Sequence, residues 1–274
     1  MRRSRTLAFT LLELVVIIGV LAVLGALLFP ALGRTASVSA TMQCQNNLKQ
    51  MAAAWAMYSA ENGGRLVSAY PSYAGFTGTW CAGNAASDGA AGSYVYGGGD
   101  PTGITSGRLW PYVQDLRPYR CSLDRRVASS GPTQFVGKPI LRSISMNSYM
   151  NGTSFGAYPT WAVTRPTDPQ DPNHPVFTKE SDISRPATTW VIIEEDFQSI
   201  NDGMLIVDVD GTARWLDLPS RAHDNGAWLN FADGHTELFI LKDAESLSWR
   251  LGSRPAGGLS DWERIVALTT YPLE

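Results

Sequence analysis

Residues 9–29 read FTLLELVVIIGVLAVLGALLF, an almost unbroken apolar run whose one ionisable residue is Glu13. A bilayer's hydrocarbon core needs about 20 apolar residues in helical form, so the run predicts a membrane-spanning helix. Met1 to Ala8, just before it, carry Arg2, Arg3 and Arg5 and no acid. A basic flank of this kind stays on the cytoplasmic side, which would put the rest of the chain across the membrane. A secretory signal has a shorter apolar core followed by a small-residue cleavage site, whereas the small residue here, Ala8, precedes the run. A carboxylate inside a membrane span is costly and reads as functional by default. The plainer reading sets Glu13 at the membrane surface, close enough to the helix start to benefit from its dipole.

Beyond Pro30 and Gly33 the pattern becomes amphipathic. Thr41, Cys44, Leu48, Met51, Trp55 and Tyr58 are spaced 3, 4, 3, 4, 3, one stripe of a helix, with Asn46, Asn47, Lys49 and Gln50 off it. A helix from Phe9 to about Ala60 would be roughly 75 Å long and would stop at Glu61-Asn62-Gly63-Gly64. The stretch 65–107, rich in Gly, Ser, Ala and Tyr, reads as loop. A short helix is expected at Leu109-Trp110-Pro111-Tyr112-Val113, and strands at Ile140–Tyr149 and Thr188–Ile193. The last third reads as hairpins turning at Asp210-Gly211 and Asp233-Gly234. In the second hairpin, two-residue turn geometry predicts Leu229 opposite Leu238 and Trp228 opposite Phe239. A long helix laid on a C-terminal antiparallel sheet gives an α+β fold.

The 274 residues carry a formal net charge of -3, which argues against nucleic-acid binding. Three Cys are too few for a disulfide framework and three His too few for a His-built metal site, so neither a metal nor a cofactor is expected. His-Glu-x-x-His and Cys-x-x-Cys are both missing, which argues against an enzyme. Asp202, Asp208 and Asp210 cluster by two turns; turn chemistry accounts for them without calcium.

The run Ala8-Phe9-Thr10-Leu11-Leu12-Glu13 and the apolar helix after it resemble the class III signal of type IV prepilins and type II secretion pseudopilins. The resemblance implies that a prepilin peptidase cuts between Ala8 and Phe9 and methylates the new Phe9 amine. It also implies that Glu13 pairs with another subunit's N-terminal amine during assembly, and that Pro30 falls where many members kink the helix. Ala8 stands where the family usually has Gly. His223, nine residues and then Asp233-Gly234 are similar to a signature of the prepilin-type processing-associated group. So are Gln43–Gln50, Tyr119-Arg120-Cys121 before Asp124, Arg142–Asn147 and Ile200–Gly203.

On that basis the chain divides into a leader at 1–8, a transmembrane half-helix at 9–30, an amphipathic half at 31–60 and an extracytoplasmic globular domain at 61–274. The expected partners are prepilin peptidase, other pilin or pseudopilin subunits and inner-membrane lipid, with the N-terminus cytoplasmic on a single-pass anchor. The expected role is a subunit of a pseudopilus or pilus-like filament; the alternative is a tethered ligand- or carbohydrate-binding module. Cys44 faces inward on the stripe, and Cys121 matches the family's recurring Cys before an Asp. Together they suggest a Cys44–Cys121 disulfide in preference to Cys81–Cys121. His223, Asp233 and Gly234 are expected to be structural, with Gly234 supplying a positive φ in the turn.

Overall fold

A computed structural model describes residues 10–70, 78–86, 96–129, 132–151, 176–207, 209, 215–248 and 260–271, with backbone alone at 25–38 and 244–245. The chain forms two compact units, Met1–Met42 and Gln43–Glu274. Helix α1, Leu11–Glu61, begins in the first and ends in the second. Its start is a capping box. The Glu13 carboxylate accepts from both the backbone N and the hydroxyl of Thr10 at 2.8 Å, and Thr10 Oγ1 accepts from Glu13 N at 3.3 Å.

Two expectations are overturned. Among the described residues no helix is long and apolar enough to cross a membrane. A single-pass inner-membrane anchor with a cytoplasmic N-terminus is therefore not supported. The fold is also not a long helix laid on an antiparallel sheet. The sheet is five-stranded and mixed, in the order β3-β1-β2-β4-β5. The strands are β1 (Ile144–Asn147), β2 (Trp190–Glu194), β3 (Met204–Leu205), β4 (Gly226–Phe231) and β5 (Thr236–Ile240). The chain leaves β2 and places β3 beyond β1, so β3 runs parallel to β1 while the other pairs are antiparallel. Most polar contacts of α1 in the second unit go to the loops before the sheet rather than to the sheet itself.

Two apolar cores explain the strand sequences. In one, Leu48, Met51 and Trp55 of α1 pack with Trp80, Tyr119, Ile144, Met146, Val191 and Ile192. In the other, Trp190, Ile193, Leu229, Phe231 and Phe239 pack with Trp262 and Ile265 of the C-terminal helix. Strands β1 and β2 are buried throughout, as strands covered on both faces are. An extra residue in β2 between Trp190 and Ile192 is a bulge, and it turns two successive side chains, Val191 and Ile192, into the same core. Buried Asn147 ties the layers: its amide donates to Trp190 O and Thr269 O, both at 2.9 Å, and its carbonyl accepts from Tyr149 N at 3.0 Å.

The final hairpin corrects the expected register. Leu229 faces Glu237 and Trp228 faces Leu238, one residue away from the two-residue-turn pairing. Three residues, Ala232 to Gly234, intervene. Gly234 N donates to Phe231 O and Phe231 N to His235 O, each at 2.9 Å, and Gly234 has φ +91°. This is a type I turn closed by a glycine bulge. The Asp210-Gly211 turn lies outside the described residues.

Candidate functional site

Four buried side chains from four separate elements converge. Cys44 takes the first inward position of the α1 stripe within the second unit. One turn on, Asn47 Nδ2 donates to Arg117 O at 3.1 Å and Arg120 O at 3.2 Å. That clamp holds the turn Arg117–Tyr119 against the helix and delivers Cys121, whose Sγ lies 3.1 Å from Cys44 Sγ. Both cysteines are free thiols. Ser122 N donates to Cys44 Sγ at 3.2 Å.

His223 arrives by a different device. Asp224 and Asn225 have φ +53° and +64°, and His223 and Gly226 exchange backbone hydrogen bonds at 3.0 and 3.1 Å, which makes a type I′ turn. The imidazole Nε2 lies 3.4 Å from Cys121 Sγ and 3.0 Å from Glu194 Oε2. Glu194 is the last residue of β2, and its Oε2 also accepts from Trp228 N at 3.0 Å. All four side chains are at most 4% exposed, and one ligand atom from each lies within 4.8 Å of all the others.

The electrostatics are those of a crowded, dry site. The hydrogen bond from Cys121 lowers the Cys44 thiol to about 4, against the cost of burial. The same bond, with burial and the Glu194 carboxylate, raises Cys121. Burial opposes charge on His223, but Cys44 and Glu194 outweigh it and lift the imidazole to about 9. Burial raises Glu194, with His223 pulling the other way. Two sulfurs, an imidazole and a carboxylate could hold a divalent metal, and two adjacent thiols could also be oxidised to a disulfide.

A cleft of about 590 Å³ adjoins the cluster; Cys121 lies in its wall with Asp124, Arg126, Asp196, Phe197 and Arg221. Asp124 pairs with Arg126 at 2.7 Å and Asp196 with Arg221 at 2.8 Å, so the cleft's charges are largely balanced. Compared with known proteins, the chain matches no family model, no curated protein and no solved structure.

The sequence-derived residues are thus distributed unevenly. Cys44, Cys121 and His223 meet. Asp233 and Gly234 do not join them, because six residues of β4, about 20 Å of strand, separate His223 from that turn. Asp233 instead pairs with His235, whose ring stacks on Phe231 at 4.3 Å. Glu13 lies in the first unit, and Ala8 and Phe9 lie outside the described residues, as do Asp208 and Asp210. Glu194 was missed by sequence reasoning. Its signal was the acidic run Glu194-Glu195-Asp196 directly after the apolar Trp190–Ile193, all three of which are buried.

Proposed function

We propose that this chain is a pilin-like subunit of the type IV pilin and type II secretion pseudopilin kind. A prepilin peptidase processes it between Ala8 and Phe9, and it assembles with other such subunits. The observation that carries the reading is the run Ala8–Glu13 together with the disposition of Glu13. The carboxylate turns back to the start of α1 and binds the backbone and hydroxyl of Thr10, one residue from the amine that a cut before Phe9 would create. An ammonium there, from this subunit or a neighbour, would meet a carboxylate already held at the helix end, where the dipole favours it. The alternative role as a carbohydrate-binding module has less support, because Trp55, Trp80, Trp190 and Trp215 are core residues and offer no stacking face to a sugar.

The test is co-expression with a prepilin peptidase, followed by N-terminal sequencing and intact mass. Cleavage removes eight residues and three arginines, leaving 266 residues that start at methylated Phe9 and a net charge of -6 in place of -3. An unprocessed chain, or one starting after Phe29, would overturn the proposal. Glu13→Ala should be processed but excluded from assemblies. Thr10→Val, which loses the hydroxyl half of the capping box but keeps the carboxylate, should still enter them.

A further inference from the structure

We infer that Cys44, Cys121, His223 and Glu194 form a four-ligand site for a zinc-class divalent cation, which fastens α1 to the sheet within the second unit. The inference is independent of the filament reading.

The geometry is compact on the scale of a tetrahedral centre. Zinc–ligand lengths of about 2.3 Å to sulfur and about 2.0–2.2 Å to nitrogen and oxygen set ligand–ligand edges of about 3.3–3.8 Å. The observed edges are 3.1 Å between the sulfurs, 3.4 Å from Cys121 Sγ to His223 Nε2, and 3.0 Å from His223 Nε2 to Glu194. The sulfurs would part by about 0.7 Å and the nitrogen–oxygen pair by a few tenths of an ångström to admit the ion, with all ligand atoms already within 4.8 Å of one another. The donors favour the same class: two thiolates and one imidazole exclude calcium and magnesium, which take oxygen ligands. Four protein ligands fill the coordination sphere, the pattern of a structural rather than a catalytic site.

The surroundings are built to hold such ligands. Ser122 N donates to Cys44 Sγ and Trp228 N to Glu194 Oε2, the outer contacts that orient coordinating atoms. The Asn47 clamp fixes the Cys121 loop, and the type I′ turn fixes His223. Cys121 in the cleft wall gives an ion a way in. With both thiols and the carboxyl deprotonated the pocket would hold three negative charges, and an interior rejects that charge unless a cation offsets it. A divalent ion displaces the two thiol protons to solvent and leaves a net of one negative charge. A Cys44–Cys121 disulfide is the competing fate of the same sulfurs, since oxidation removes both from the ligand set.

The full chain, kept reduced and treated with chelator, is titrated with cobalt(II) and then with zinc. The expected result is one equivalent of cobalt bound, with the visible bands of a tetrahedral site and thiolate charge transfer. Zinc should displace it. Cys44→Ser and Cys121→Ser should each cut the charge-transfer band by at least about half and the double variant should abolish it, and His223→Ala should weaken binding by at least about tenfold. Because these variants could misfold, Glu194→Cys supplies a gain: three thiolates in place of two should raise the charge-transfer absorbance by about half. Failure of the reduced wild-type chain to develop cobalt bands would overturn the proposal. So would cobalt bands that persist unchanged in Cys121→Ser.

Discussion

Replacing His223 by Ala in chelator-treated, reduced protein isolates what the imidazole contributes through the protein's own contacts. The ring is 3% exposed and sits 3.0 Å from the Glu194 carboxylate. Removing one partner of a buried pair costs about 3–5 kcal/mol because the other charge is left behind. Two features place this case at the lower end. Trp228 N still donates to Glu194, and burial already raises the Glu194 pKa, so the orphaned carboxylate can take up a proton. A loss of about 3 kcal/mol in a chain of this size is a fall of roughly 6–12 °C in Tm. His235 provides the contrast. It pairs with Asp233, but the two side chains are 42% and 36% exposed, and His235→Ala should cost about 1 kcal/mol at most. Urea unfolding followed by tryptophan fluorescence reads both variants. Adding Glu194→Gln to His223→Ala removes the stranded charge and should recover part of the loss. Equal costs for His223→Ala and His235→Ala, or no recovery in the double variant, would refute the reasoning.

Two glycines separate crowding from backbone strain. A Cβ on Gly107 would lie 2.2 Å from Trp80 O and 2.8 Å from Cys81 Cα, whereas one on Gly234 meets nothing within 4 Å but inherits φ +91°. Gly107→Ala should therefore cost about 3 kcal/mol or more, and Gly234→Ala about 1–2 kcal/mol; the reverse order in urea melts would refute this. Asp217 is buried, accepts from Ile206 N at 2.8 Å, and is raised well above the usual carboxylate range by burial and then by Glu195 and Asp202. The folded chain therefore holds a proton that the unfolded chain releases. Asp217 destabilises least below the unfolded pKa, and the wild type loses stability as pH climbs from there toward the raised folded value. Asp217→Asn should flatten that decline by up to about 1.4 kcal/mol per pH unit, and an unchanged slope between pH 4 and 8 would refute the assignment.

The α1 stripe was legible because the 3-4 spacing of Cys44, Leu48, Met51 and Trp55 is a local property of one element. The apolar Trp190–Ile193 also reads as a strand. Its neighbours do not follow from it, since strands buried on both faces lose the period of two that would reveal register, and the bulge at Val191 shifts the side chains further. The mixed sheet was out of reach for a related reason: β3 is two residues long, and its parallel place beside β1 is fixed by tertiary packing. The final hairpin was identified but misregistered, because Asp233-Gly234 fits both a two-residue turn and the last two residues of a three-residue loop. At the site, the inward direction of Cys44 was readable. Its meeting with Cys121, His223 and Glu194 depends on the Asn47 clamp and on left-handed Asp224 and Asn225, and these bring together residues up to 179 positions apart. The spacing from His223 to Asp233-Gly234 looks like one motif, but strand β4 holds its ends apart.

Asn147 bonds the first strand to both β2 and the end of the last helix, through Trp190 O and Thr269 O. Its consequence is temporal. A ribosome adding about 5–20 residues per second emits Thr269 roughly 11–45 s after Cys44. Asn147 emerges within that interval and lacks its second acceptor until Thr269 follows, while Leu48, Met51 and Trp55 wait for buried core partners as far along as Met204. Closure of the second unit thus waits for Thr269, and a chain truncated before Thr269 should expose part of its core to chaperones rather than close fully.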